Sequence, residues 1–243
     1  ASPNPMVGAV VVKNGQIVGE GYHVFSRRHH AESIALRQAG KLARGADLFV
    51  TLEPCSHTGR TSPCADEIIQ VGVKRAFIAT RDPNPAVNGK GIQGLKRAGI
   101  EVFEGLCEDK AHRLNEAFFH WVRTGRPFVT LKLALSMDGR IATRTGASKW
   151  ITGKKARRLV HRLRYRNDAI LVGAGTVRKD DPSLDVRSPR KKQIVKVILD
   201  SEMGTDPDAR LFRSGDPVLI FHSAGTAAPR GSQLAGPAQL IGV

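Results

Sequence analysis

Apolar and polar positions along the chain repeat with two different periods. Met6–Val12 (MVGAVVV) is a continuous valine-rich run, Lys13-Asn14-Gly15-Gln16 is a polar break, and Ile17–Tyr22 is a second run. A branched apolar run, an Asn-Gly pair and a further run predict a tight hairpin of two strands. The period then lengthens. His30 opens a helical segment carrying Ile34, Leu36 and Ala39, which Gly40 stops. Strand-like stretches at Leu48–Leu52, Arg75–Ala79 and Ile100–Glu104 alternate with helical ones starting at Cys64 and spanning Gly91–Ala98. Glu108–Thr124 predicts one longer helix, with Leu114, Ala117, Phe118 and Trp121 at helical spacing as core residues. Gly125-Arg126-Pro127 breaks it, which divides the chain into domains 1–124 and 125–243. Beyond the break, strands are expected at Phe128–Leu135, Ala169–Val172, Ile194–Leu199 and Pro217–Phe221. Ser136–Arg140 should form a turn and Gly153–Arg166 a basic helix. Strands alternating with helices make the fold class α/β.

Within the first half, His30-Ala31-Glu32 precedes Thr51-Leu52-Glu53-Pro54-Cys55, and Cys64 follows after an eight-residue loop. One imidazole and two thiolates fill three positions of a tetrahedral zinc site and leave the fourth for water. Glu32, two residues after His30, can then serve as proton shuttle. An H-x-E followed by P-C-x-x-C marks the zinc deaminases; here the cysteines are eight residues apart rather than two. A closed structural site would need a fourth ligand such as His29 or His57, and the presence of Glu32 favours catalysis. Cys64 at a helix start suits a thiolate, whereas Cys107 has no partner at ligand spacing and is expected to be a buried packing residue.

Composition narrows the partners. A net charge of +16 over 243 residues fits either nucleic acid or a small phosphorylated substrate. Only 5% of residues are aromatic, too few to supply a base-stacking surface, so no nucleic-acid partner is expected. The basic residues are densest in Lys154–Arg166 and Arg187–Lys192. Three cysteines make no disulfide framework and favour a cytoplasmic setting. No apolar run approaches a membrane span and no signal peptide precedes Ala1, so neither insertion nor export is expected. The Gly173-Ala174-Gly175-Thr176 turn could hold a phosphate, although a plain strand-to-helix turn explains it. Asn4 could reach a ligand but is better explained by the turn before the first strand.

The segments SPNPMVGAVVV, GEGYH, HAE, TLEPCSHTGRTSPC and RDPNPAVNGKG resemble the bacterial bifunctional riboflavin-biosynthesis deaminase/reductase family. LKLALSMDGRIAT, SKWITG, ILVGAGTVRKDDPSLDVR and VILDS resemble its reductase half. The resemblance runs from the first residues to about Phe221. It implies a cytidine-deaminase-like three-layer domain followed by a dihydrofolate-reductase-like domain. The first would hydrolytically deaminate diaminohydroxyphosphoribosylaminopyrimidine. The second would reduce the ribose side chain with NADPH to give 5-amino-6-(5-phosphoribitylamino)uracil. The resemblance implies zinc on His30, Cys55 and Cys64, with Glu32 as the proton shuttle. Cofactor contacts fall on Ala134, Trp150, Thr176, Asp180 and Ser201, and substrate contacts on Lys132, Ser148, Arg164, Leu184 and Arg187. Guanidinium forks suit a phosphate. Both implied folds commonly assemble, so a homo-oligomer is expected. Family members also carry a helix ahead of SPNP and continue past this C-terminus to an acidic substrate residue and a Gly-Gly cofactor loop. The reductase half is therefore expected to be incomplete here. Two other classes share the zinc chemistry: a deaminase of nucleic acid, which the reductase-like half and scarce aromatics disfavour, and a non-catalytic zinc module, which Glu32 disfavours.

Overall fold

The computed structural model describes residues 4–25, 29–57, 62–187, 192–226 and 238–243. Residues 1–3 of the opening turn, 58–61 of the loop between the two cysteines and 188–191 of the second basic stretch lie outside them. The chain forms two compact units, Ala1–Leu131 and Lys132–Val243. The division falls seven residues beyond the Thr124/Gly125 boundary expected from the helix break.

Unit 1 begins with strands β1 (Gly8–Lys13) and β2 (Gln16–Tyr22), paired antiparallel. Asn14 and Gly15 both take positive φ, 50° and 75°, which is what the tight connection requires. Helix α1 (Ala31–Ala39), strand β3 (Asp47–Val50), helix α2 (Cys64–Val71), strand β4 (Arg75–Ile78), helix α3 (Lys90–Arg97) and strand β5 (Glu101–Glu104) follow. The five strands form one sheet in the order β2-β1-β3-β4-β5. β1 meets β3 antiparallel, while β3–β4 and β4–β5 are parallel. Val11, Leu48, Ile68, Ile78, Ile92 and Leu95 are buried in the core between this sheet and its helices. Two glycines of β2 let α1 approach closely. A Cβ on Gly19 would lie 2.2 Å from the Ala35 carbonyl oxygen, and one on Gly21 would lie 2.3 Å from that of Ala31. Asp47 and Arg75 are register partners on β3 and β4, joined by two hydrogen bonds of 2.7 and 2.5 Å.

The expected single helix at Glu108–Thr124 is two, α4 (Glu108–Leu114) and α5 (Glu116–Thr124). They break at Asn115, whose φ of −115° is not helical. That residue is buried, and its amide clasps the chain start: Oδ1 accepts the Met6 N–H at 2.7 Å and Nδ2 donates to the Met6 carbonyl at 2.9 Å. The break also turns the aromatic stripe. Phe119 is buried, whereas Leu114, Ala117 and Trp121 are exposed and Phe118 is half-buried, contrary to expectation. Cys107 is exposed rather than buried, because it caps α4 in a left-handed conformation on the surface.

Unit 2 holds α6 (Lys154–Arg166), β6 (Ala169–Gly173), α7 (Ala174–Asp180), β7 (Val195–Leu199), β8 (Val218–His222) and β9 (Ala238–Gly242). The strands form an all-parallel sheet in the order β6-β7-β8-β9. Val177, Leu184, Ile198, Leu211, Phe212, Val218 and Ile220 pack on one face. Lys196 sits fully buried in the same unit, its Nζ donating to the Leu211 carbonyl and Ser214 Oγ, both at 2.6 Å, and lying 3.5 Å from Asp216 Oδ2. Burial lowers its pKa, and Asp216 opposes that shift. The strand expected at Phe128–Leu135 is irregular, with Val129 and Leu131 about 80% exposed. An apolar run becomes a strand only when a neighbour takes up its backbone hydrogen bonds, and among the described residues none pairs with it.

Candidate metal centre and active site

Three elements deliver the metal-ligand candidates. His30 is the N-cap of α1 in extended conformation, Cys55 lies just past the end of β3, and Cys64 is the first residue of α2. Their ligand atoms all lie within 4.8 Å of one another. His30 Nδ1 is 3.1 Å from Cys64 Sγ and 3.6 Å from Cys55 Sγ. A tetrahedral ion about 2.3 Å from sulfur and about 2.0 Å from nitrogen would set the two about 3.6 Å apart. Donor chemistry fits zinc, the Cys55 spacing matches it, and Cys64 stands closer to His30 than a bound ion would hold it. Neither His29 nor His57 joins the cluster among the described residues; His29 Nε2 instead meets Arg37 Nη1 at 2.9 Å. The N-terminus of α2 closes on Cys55: the Cys64 N–H donates to Cys55 Sγ at 3.3 Å and the Ala65 N–H to the Cys55 carbonyl at 3.1 Å. The hydrogen bond with Cys64 brings the Cys55 thiol down to about 4, helped by His30. Cys64 is pushed the other way, by the same bond and by burial. His30 is raised, chiefly by its bond to Cys55.

Glu32 occupies the first turn of α1 and is 3% exposed. Burial pushes its carboxyl up to about 7, with the Cys55 thiolate adding to the rise. A carboxyl poised near neutrality can both take and give a proton at the working pH. Asn4 Nδ2 is 3.0 Å from His23 Nε2, and the His23 ring packs edge-on against His30 at 5.5 Å between centroids. A further residue went unassigned in the sequence. Glu53 is buried, and its carboxylate accepts four backbone N–H groups, from Asp82, Gly89, Gly91 and Ile92. Beside it Asp82 is also buried, which raises its carboxyl.

In unit 2, two of the candidates share Asp185 as a partner. Arg164 on α6 donates to the Asp185 carbonyl at 3.0 Å, and Arg187 Nε lies 4.0 Å from Asp185 Oδ1. Leu184 is buried between them in sequence, with a φ of 55°. Burial lowers the Arg164 pKa, and its Nε is buried without a hydrogen-bond partner. Lys132 is exposed and Ser148 half-buried. Among the described residues no hydrogen bond or ring contact joins Ala134, Trp150, Thr176, Asp180 and Ser201 to one another. Trp150 instead stacks under Arg157, with the guanidinium 4.3 Å from the ring centroid. Thr176 and Asp180 lie on α7, which Gly173 begins, so the glycine-rich stretch is a strand-to-helix turn.

Residues 1–80 match the cytidine and deoxycytidylate deaminase zinc-binding region, and residues 127–240 match the RibD C-terminal domain. Riboflavin biosynthesis protein RibD of Aquifex aeolicus is 54% identical over 90% of this chain, and that of Escherichia coli K12 is 46% identical over 86%. The chain spans 62% and 60% of those two relatives' lengths. A solved deaminase/reductase of Thermotoga maritima superposes with a TM-score of 0.87 at 46% identity, covering 93% of this chain and 66% of that one. Acinetobacter baumannii RibD superposes with a TM-score of 0.88 at 43% identity and covers 69% of its own length. Unit 1 is thus cytidine-deaminase-like, unit 2 is the RibD C-terminal, dihydrofolate-reductase-like type, and zinc is the metal of the first. With all of its length aligned on the Acinetobacter protein, this chain belongs to the family of RibD riboflavin-biosynthesis proteins.

Proposed function

We propose that unit 1 hydrolytically deaminates diaminohydroxyphosphoribosylaminopyrimidine, and that unit 2 contributes to NADPH-dependent reduction of the ribose side chain, giving 5-amino-6-(5-phosphoribitylamino)uracil. The observation that carries the first step is the buried Glu32 carboxyl beside a preformed His30–Cys55–Cys64 triad. Zinc, when bound, lowers the pKa of a coordinated water toward neutrality. His30, Cys55 and Cys64 would hold the ion, and Glu32 would accept a proton from the water attacking C2 of the pyrimidine and return one to the departing ammonia. Asn4 and His23 form a polar edge beside the triad for the substrate's hydrogen-bonding groups.

In unit 2, Arg164 on α6 and Arg187 both meet Asp185, and their guanidinium groups suit the substrate phosphate, with Lys132, Ser148 and Leu184 as further substrate contacts. Ala134, Trp150, Thr176, Asp180 and Ser201 contact NADPH. The enzyme works in the cytoplasm, in keeping with three unpaired cysteines, and assembles as a homo-oligomer. No helix among the described residues is long and apolar enough to cross a membrane.

A turnover assay with the phosphorylated pyrimidine, with and without NADPH, tests the reading. Ammonia release should not need NADPH, and reduction should need the deaminated product. Ammonia release that depends on NADPH, or robust deamination of RNA or DNA in place of the pyrimidine, would overturn it.

A further inference from the structure

We propose that Glu53 is the positioning residue for the metal ligand Cys55, an inference that rests on the zinc reading above. Glu53 is 3% exposed, and among the described residues it forms no salt bridge. Its charge is met by backbone instead. Oε2 accepts the N–H groups of Asp82 at 3.3 Å and Gly89 at 2.9 Å, and Oε1 those of Gly91 at 3.0 Å and Ile92 at 3.2 Å. Three of these belong to the start of α3, whose N-cap Gly89 has no side chain to cap it. Glu53 supplies that cap from 36 residues away and places its charge at the positive end of the helix.

The consequence falls on the next two residues. The Glu53 N–H donates to the Thr80 carbonyl at 3.0 Å, so backbone and side chain are both fixed. Gly91 lies directly against Pro54; a Cβ there would stand 2.1 Å from the Pro54 carbonyl oxygen. Cys55 is held from its other side by the Cys64 and Ala65 N–H groups of α2. The short stretch 53–55 is thus clamped between the N-termini of two helices, with the Cys64 N–H directed at the Cys55 sulfur. Glu53 touches neither the metal nor the reacting atoms; it acts by fixing the backbone that aims Cys55.

The test compares zinc retention with fold stability in the whole chain. Glu53→Gln keeps the side chain's shape but turns an amide NH2 toward two backbone N–H donors, so half of the clamp is replaced by repulsion. Leu95→Ala, in the same helix and fully buried, loosens α3 without touching residues 53–55. Zinc loss to a competing chelator, the thiolate-to-metal absorption of the cobalt-substituted protein and the thermal midpoint are read for each. Glu53→Gln should weaken zinc binding about 10- to 100-fold and shift the cobalt band. Leu95→Ala should lower the midpoint but leave zinc retention at the parent level. The proposal is overturned if Glu53→Gln retains zinc as the parent does, or if Leu95→Ala loses zinc equally, which would make the effect one of general stability. Should Glu53→Gln fail to fold, Gly91→Ala keeps the carboxylate but presses on the Pro54 carbonyl oxygen and, at 3.3 Å, on Glu53 Oε1, and parent-like zinc retention there overturns the proposal too. A parent protein that binds no zinc would bring down the metal reading itself, a different result from a zinc-loaded parent with an indifferent Glu53.

Discussion

The two units bury charge in opposite ways. Unit 1 places Glu32 and Glu53 at the meeting point of strand ends and helix starts, where three ligand atoms converge within 4.8 Å. Unit 2 buries Lys196 to tie a strand to the segment around Leu211 and Ser214. In the first, buried carboxylates stand near the metal-ligand cluster; in the second, a buried ammonium ties elements of the fold together.

The largest effect should come from Glu32→Gln. It removes the proton shuttle while keeping size, and ammonia release should drop about 100- to 10,000-fold, with zinc still bound by metal analysis. Reduction of supplied deaminated substrate, assayed in a longer family chain carrying the same change, should persist. Loss of both activities in a folded protein would dissolve the contrast between the units. Next comes Lys196→Ala, which leaves the Leu211 carbonyl, Ser214 and Asp216 without their donor. Denaturant unfolding should show unit 2 weakened by about 3 kcal/mol, with ammonia release unchanged. A loss of deamination there would show that unit 1 is not self-contained.

Gly21→Ala tests the close approach that seats α1, because the added Cβ would meet the Ala31 carbonyl oxygen at 2.3 Å. Overpacking of this kind costs about 1–3 kcal/mol, and here it displaces the turn carrying Glu32. Stability and kcat should fall together; an unchanged kcat would mean that α1 tolerates the shift. The smallest effect concerns Asp47, whose bond to Arg75 holds its carboxyl below the usual range. The folded group therefore titrates below the unfolded one. Its stabilisation is complete above the unfolded pKa and is lost as pH falls through the folded one. Arg75 is 42% exposed, so solvent screening keeps the pair's contribution small. Asp47→Asn should lose that contribution at neutral pH and nothing at strongly acidic pH, measured as the difference in unfolding free energy from the parent.

The metal triad was legible in the sequence because its logic is local: His30 and Glu32 share one turn, and Cys55 and Cys64 end one loop. The same is true of the hairpin at Asn14-Gly15. What was missed depends on partners far along the chain. Glu53 reads as an ordinary acidic residue until Gly89, Gly91 and Ile92 fold onto it. Asn115 interrupts an unbroken helical pattern only because Met6 arrives beside it. Phe128–Leu135 has the composition of a strand, but composition does not supply a neighbouring strand. Cys107 looked apolar by type and is exposed because a helix start on the surface needed a left-handed residue there.

The clasp between Asn115 and Met6 has a kinetic meaning. It joins residues 109 positions apart, and bringing such distant points together carries a large loop-closure entropy before any contact rewards it. The hairpin and the β-α-β crossings each close much shorter loops. They should therefore form first, and the amide should snap shut late, on a sheet already built. A chain leaving the ribosome cannot make this contact until Asn115 has emerged, so the clasp closes on a first strand already paired with β2 and β3.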